Sequence, residues 1–113
     1  METKELMIGD KVIVKVPSQI PDTYVLHTWT ANDYSRDIQV KPIPLTPEIL
    51  ENNGWWYEIE DMWLHDEVNF CIEKWNGKLQ CYDISQIKLD SVHQLQQTLR
   101  LCGLNELADN FKV

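Results

Sequence analysis

Hydrophobic positions near the start of the chain alternate with polar ones at period two. In Lys11-Val12-Ile13-Val14-Lys15-Val16 the valines Val12, Val14 and Val16 share one face and Lys11 and Lys15 the other, the pattern of a strand. Gly9-Asp10 ahead of it suits a turn or bulge leading in. Pro17 and Pro21 stop the run, Thr23 to Trp29 forms a second β-prone stretch, and Asn32-Asp33 marks a turn before a third, Asp37 to Lys41. These short strands predict a small meander or an SH3-like partial barrel.

Pro42-Ile43-Pro44-Leu45 is extended, because proline holds φ and turns the preceding residue away from helix. A short helix is then predicted over Pro47 to Asn53: Thr46 suits the N-cap, Pro47 the first helical position, Glu48 the dipole and Gly54 the left-handed stop. Leu45 and Leu50 can staple its start. Beyond it, Trp55, Tyr57 and Ile59 alternate with Trp56, Glu58 and Glu60, which predicts a half-buried strand. Val68 to Trp75 and Lys78 to Asp83 flank Asn76-Gly77, a strong hairpin signal that pairs Trp75 with Lys78, Glu73 with Gln80 and Ile72 with Cys81. Phe70, Ile72, Leu79 and Cys81 then share a face, and Cys71 lies on the other, out of disulfide reach of Cys81. Ile84 to Leu89 reads as a further strand.

Ser91 and Gln94 form an S-x-x-Q capping box, and Val92, Leu95, Leu99 and Cys102 recur at helical spacing up to Gly103. Leu104, Leu107 and Phe111 can add a short apolar turn. The expected architecture is α+β: two small antiparallel β units, one short linking helix and a C-terminal helix packed on the sheet. Residues 1–45 and 46–113 are expected to form one domain, since each β unit alone is too small to hold a core.

Composition narrows the class further. The 113 residues are 43% hydrophobic and 25% charged, as in an ordinary globular domain rather than a disordered chain. No apolar run is long enough for a membrane helix or a signal-peptide core. Three cysteines without a CxxC pair read as reduced thiols, hence a cytoplasmic setting. A net charge of −8 repels phosphate backbones and disfavours general nucleic-acid binding.

The position of that charge matters more than its total. Between Pro42 and Glu73 there is no Lys or Arg, and Glu48, Glu51, Glu58, Glu60, Asp61, Asp66, Glu67 and Glu73 are all acidic. The stretch also holds Trp55, Trp56 and Trp63, three of the five tryptophans. An acidic segment dense in tryptophan is either a solvated face or a docking surface for a basic partner.

Catalytic chemistry finds little support. His65, Asp66, Glu67 and Cys71 are close in sequence, and His93 with Cys102 could approach in space, yet the paired spacings of a zinc site are absent. No nucleophile elbow or glycine-rich phosphate loop occurs, and no protease signature surrounds a cysteine. No cofactor, metal or catalytic residue is expected. Trp29, Tyr24 and Trp75, with Lys11, Lys15, Lys41, Lys74 and Lys78, could stack and hold single-stranded bases, but small-sheet aromatics are more often core.

Pro42-Ile43-Pro44-Leu45-Thr46-Pro47-Glu48-Ile49-Leu50, running on to Gly54-Trp55, resembles a segment of small uncharacterised proteins of Bacteroides-type bacteria, their prophages and mobile elements. Val92 to Gly103 is similar to the closing helix of that group, and Glu5 to Asp10 to its opening. The resemblance implies a phage or mobile-element accessory protein acting inside the bacterial cell, with no activity or cofactor to transfer. The expected function is non-enzymatic binding of a host protein with a basic surface through Trp55, Trp56, Trp63, Glu58, Glu60, Asp61, Asp66 and Glu67, countering host defence being one such role. The alternative is a small-molecule or nucleotide-binding module with a tryptophan-lined pocket between the β units and the closing helix.

Overall fold

The computed structural model describes residues 2–16, 23–35, 38–82 and 87–113. The chain is α+β, and the described residues form two antiparallel sheets and three short α-helices. The first sheet contains β1 (Lys11–Val16), β2 (Thr23–Thr28) and β3 (Val40–Lys41) in the order β2-β1-β3. Because β1 is central, the chain crosses over rather than continuing as a simple meander. Pro17 and Pro21 and the start of the third run, Asp37, lie outside the described residues. Val14 faces Val25 on one side and Val40 on the other, and Val12, Val40, Leu6 and Trp29 form a small buried cluster. Ile13 points the opposite way, onto a larger cluster built by the second half.

The expected Asn32-Asp33 turn is a 3-10 turn over Ala31–Ser35, and it buries Asp33. Asp33 Oδ2 accepts from the Thr30 backbone N–H at 2.8 Å and the Thr30 hydroxyl at 2.9 Å, and it meets His27 Nε2 at 2.8 Å. Burial alone would raise this carboxyl's pKa. The bonds from His27 and Thr30, with the charge of His27, outweigh burial and hold it at about 2.

Helix α1 (Pro47–Asn52) starts as its sequence requires: Thr46 Oγ1 accepts from the Ile49 N–H at 3.3 Å with Pro47 in the first turn. Gly54, at φ +86°, ends it. There Trp55 N donates back to Leu50 O at 3.1 Å, so both Leu50 and Trp55 enter the core. The second sheet follows in chain order, β4 (Trp56–Glu58), β5 (Met62–Leu64), β6 (Ile72–Trp75) and β7 (Lys78–Cys81). The Asn76-Gly77 turn has both residues at positive φ and pairs Trp75 with Lys78, Glu73 with Gln80 and Ile72 with Cys81. Strand β6 is shorter than the expected run from Val68, because Val68 N closes a turn onto His65 O. Residues 84–86 lie outside the described residues; Ile87 and Leu89 bond to Cys81 and Leu79 and cover the outer edge of β7.

Helix α2 (Val92–Leu101) opens on the capping box, with Gln94 Oε1 accepting from Ser91 N at 3.0 Å. Val92, Leu95 and Leu99 pack into the larger cluster with Trp55, Trp63, Phe70 and Ile72. Cys102 does not join them, contrary to its spacing. The helix has already ended there; Leu104 N donates to Leu99 O at 2.9 Å, and Cys102 is exposed. Helix α3 (Asn105–Asp109) brings Ala108 and Phe111 back to the core.

The two clusters meet across a polar junction. Gln96 on α2 is fully buried, its Oε1 accepting from Lys11 N at 2.8 Å and its Nε2 donating to Gly9 O at 3.0 Å and Ala108 O at 2.8 Å. Asp10, also fully buried, pairs with Arg100 and accepts from Met7 N at 2.9 Å and Gln97 Nε2 at 2.7 Å. Gly9 is required at this lead-in: its φ is +95°, and a Cβ would lie 2.8 Å from the Arg100 guanidinium.

Gln96→Ala removes the partner of Lys11 N and Gly9 O and one of the bonds to Ala108 O, and is expected to cost about 3 kcal/mol in urea unfolding. With Gln96 in place, tryptophan fluorescence and circular dichroism should report one shared transition, and two resolved transitions would mean that the units fold separately. Asp33 makes a second expectation. Its folded pKa lies below the ordinary 3.8, so its contribution is complete above pH 3.8 and is lost as pH falls toward 2. That contribution is about 2 kcal/mol, and Asp33→Asn should flatten the fall in stability over this window.

Candidate functional site

The second sheet has one covered and one open face, and the register decides which residues go to each. Tyr57, Trp63, Ile72 and Cys81 are paired in one row; the last three are buried against the helices. The neighbouring residues turn outward. Trp56 pairs with Leu64, and the same register carries that row on to Cys71, whose carbonyl accepts from Tyr82 N at 2.8 Å. A second outward row runs Glu58, Met62, Glu73, Gln80, with Gln80 Nε2 donating to Glu73 Oε1 at 2.6 Å. Trp75 stands at the end of this face.

Two of the three tryptophans expected to bind a partner are therefore not available. Trp55 is 3% exposed and Trp63 4% exposed. Trp63 is the centre of β5, opposite Ile72. Its ring meets Tyr57 edge to face at 5.2 Å. Trp55 is drawn inward by the end of α1 and packs on Phe70 at 5.9 Å and His65 at 5.4 Å. The expected alternation holds in direction but not in burial. Trp55 is inside and Tyr57 lies in the covered row with Trp63, yet Tyr57 and Ile59 are exposed because β4 is an edge strand.

The open face instead carries Trp56, Trp75 at 62% exposure and Tyr82 at 53%, with Ile59 at the sheet's corner at 71%. Trp56 was legible in the acidic segment. Trp75 and Tyr82 lie beyond it, but the Asn76-Gly77 register already puts Trp75 on the face opposite Ile72.

The carboxylates separate into two groups. Glu58, Glu60 and Asp61 are exposed at the β4–β5 turn, and Asp66 and Glu67 at the far end of β5. Within the first turn Glu60 and Asp61 stand at φ +62° and +57°, a conformation that costs a side-chain-bearing residue about 1–2 kcal/mol. Tyr57 Oη supports it, lying 3.3 Å from both Asp61 Oδ1 and Asp61 N. Lys74 N donates to Asp61 O at 2.9 Å, which sets this turn against the strand that bears Trp75. The corner thus presents apolar and aromatic side chains beside three carboxylates, the composition of a docking patch with a charged rim.

The other candidate chemistry does not assemble. Trp29 is fully buried, and Lys41 Nζ lies 4.0 Å from the Tyr24 ring centroid in the first sheet, so neither joins Trp75 in a base-stacking surface. His93 begins α2 and Cys102 follows its end, about 13 Å apart along the axis. Among the described residues no three His, Cys, Asp or Glu side chains converge as metal ligands. His65 Nδ1 accepts from Glu67 N at 3.1 Å, which leaves Nε2 to donate to Asn53 O at 3.1 Å. Both ring nitrogens are thereby engaged in holding loops. Ser91 Oγ lies 3.0 Å from His93 Nδ1, but both are buried at the start of α2. Burial pushes the His93 pKa down against the fields of Asp10 and Glu5. Ser91 and His93 line a shallow cleft of about 410 Å³ with Glu5, Pro42, Pro44 and Asp90, where Ser91 caps α2.

A cleft of about 260 Å³ lies among Asn53, Gly54, Trp55, His65, Leu99 and Phe111. It has a single tryptophan in its lining, not the several of the alternative reading. Asn53 closes one end by clasping the Lys112 backbone, Nδ2 to O at 2.8 Å and Oδ1 from N at 2.7 Å.

Burial separates the tryptophans in a measurable way. Trp63→Ala is expected to destabilise the free protein by about 4 kcal/mol. Trp56→Ala, on the open face, should change stability by about 1 kcal/mol or less in the same urea titration.

Comparison of the chain with protein-family models, with curated proteins and with solved structures gives no match.

Proposed function

We propose that this chain is a non-enzymatic interaction protein that docks on a partner protein with a basic surface. The docking surface is the open face of the second sheet together with the acidic turn at its corner. The single observation that carries the reading is the placement of Trp56, Trp75 and Tyr82 on one uncovered sheet face, beside Ile59 and the carboxylates of Glu58, Glu60 and Asp61. Exposed aromatic area of this kind is what interface hot spots are made of. Large aromatic side chains left in solvent on one sheet face, with carboxylates at its corner, are a surface suited to a partner.

The strained turn supports the same reading. The second hairpin uses Asn76-Gly77, the residues that suit positive φ, while the first holds Glu60 and Asp61 in that region. Carboxylates kept where glycine or asparagine is easier have a use other than the turn. That use is attraction of a cationic surface in a chain of net charge −8. The resemblance to prophage and mobile-element proteins supplies the setting: the partner is a host protein inside the bacterial cell, and interference with host defence is the class of role.

The test is kinetic and uses the protein captured from bacterial lysate by the immobilised chain. Trp75→Ala and Trp56→Ala should each raise its dissociation rate, by roughly tenfold or more for a central anchor. Glu60→Gln with Asp61→Asn should instead lower the association rate and weaken its dependence on salt, since exposed charges are screened beyond ~8 Å at physiological ionic strength. Unchanged dissociation in both tryptophan variants would remove this face from the interface and overturn the reading.

A further inference from the structure

The two sheets have four outer edges, and three of them are guarded. Strand β3 is two residues long and runs into Lys41-Pro42. Strand β4 is three residues long, ends in Glu58 and is followed by Glu60 and Asp61. The edge of β7 is covered by residues 87–89, with Cys81 N donating to Ile87 O at 3.1 Å and Leu89 N to Leu79 O at 3.0 Å. Shortness, charge and covering segments are the usual devices that keep sheet edges from pairing with other chains.

Among the described residues, strand β2 has none of them. It is six residues long, Thr23-Tyr24-Val25-Leu26-His27-Thr28, and keeps an unbroken register of six pairs with β1, without a bulge. It contains no Lys, Arg, Asp, Glu or Pro, although 25% of the whole chain is charged. Val25 is 42% and Leu26 56% exposed at its middle. Among the described residues no strand pairs with its outer side, so alternate backbone N–H and C=O groups along it point away from β1.

We propose that β2 is a self-association edge, on which a second copy of this chain adds its own β2 antiparallel to form one continuous six-stranded sheet. The occupant follows from charge and symmetry. Any partner strand bearing carboxylates or ammonium groups would set them against an uncharged edge, whereas β2 of another copy brings none. A two-fold axis perpendicular to the sheet makes the two strands antiparallel and joins like face to like face. Centred near Val25 and Leu26, it sets the exposed apolar residues of both copies together and leaves the threonines at the ends. The carboxylate-rich turn of the second sheet lies on a different sheet from this contact. The buried area of one strand pair is at the small end of specific interfaces, which makes the association weak and dependent on concentration.

Sedimentation equilibrium of the full chain at physiological salt tests this. The mass should rise from the single-chain 13.3 kDa toward twice that value across the micromolar range. Leu26→Lys and Leu26→Glu should each stay monomeric with an unchanged circular dichroism spectrum, and mixing the two should restore the dimer. On the unmodified protein, amide hydrogen exchange within 24–28 should slow on raising concentration, while that of β4 does not; this readout needs no variant to fold. A wild-type chain that stays monomeric throughout the range would overturn the proposal. So would a dimer that survives both substitutions, or one that leaves exchange in β2 unchanged.

Discussion

Burying Asp10 and Gln96 is the constraint on which the rest of this structure depends. Neither half of the chain closes a core large enough to stand alone with ease. The first sheet and its lead-in contribute a cluster of four buried side chains, Leu6, Val12, Trp29 and Val40. The polar junction attaches that cluster to α2 by donors and acceptors of defined direction. Gln96 meets three backbone groups from two separate segments, and Asp10 meets Arg100, Gln97 and Met7. Apolar packing tolerates sliding, but such a set of bonds has one satisfied geometry, and any other leaves buried groups unpaired. The ion pair with Arg100 therefore serves register more than net stability, since desolvation offsets much of its attraction.

From that junction the sheets acquire different duties. The helices α1, α2 and α3 all pack on one face of the second sheet, where Trp63, Ile72, Leu79 and Cys81 meet Leu50, Leu95, Leu99 and Phe111. Among the described residues no helix lies on the other face, and Trp56, Trp75 and Tyr82 stay in solvent. The aromatic surface thus follows from the described helices lying on a single side of this sheet. The first sheet is open at its edge, where β2 has no neighbouring strand on its outer side among the described residues. Two different surfaces follow: a face rich in aromatic rings beside carboxylates, and a backbone edge without charge.

Local chemistry made much of this legible in advance. Thr46-Pro47 and Gly54 delimit α1, the Asn76-Gly77 dipeptide sets the β6–β7 register to the residue, and the Ser91–Gln94 box starts α2. Each is a short-range device whose energy is decided within a few residues, so reading it needs no knowledge of the rest of the chain. The misreadings are of another kind. Tryptophan identity says nothing about which face a ring occupies, so Trp55, Trp56 and Trp63 looked alike in the acidic segment. Nothing in the spacing of α2 singled out Gln96, although its side chain meets three backbone groups at the junction.

What the sequence by itself determined is the α+β class, strand β1, the starts of α1 and α2, and the pairing of the β6–β7 hairpin, because capping, turn chemistry and hydrophobic period are local. It also determined that residues 42 to 73 carry carboxylates without a compensating base. Tertiary structure alone decided that Trp63 and Trp55 are core while Trp56 and Trp75 are surface. It also decided that β1 lies between β2 and β3, and that Asp10 reaches Arg100 across a separation of 90 residues. These outcomes depend on which faces the three helices cover, and a helix can shield only the side of a sheet on which the chain's crossings place it.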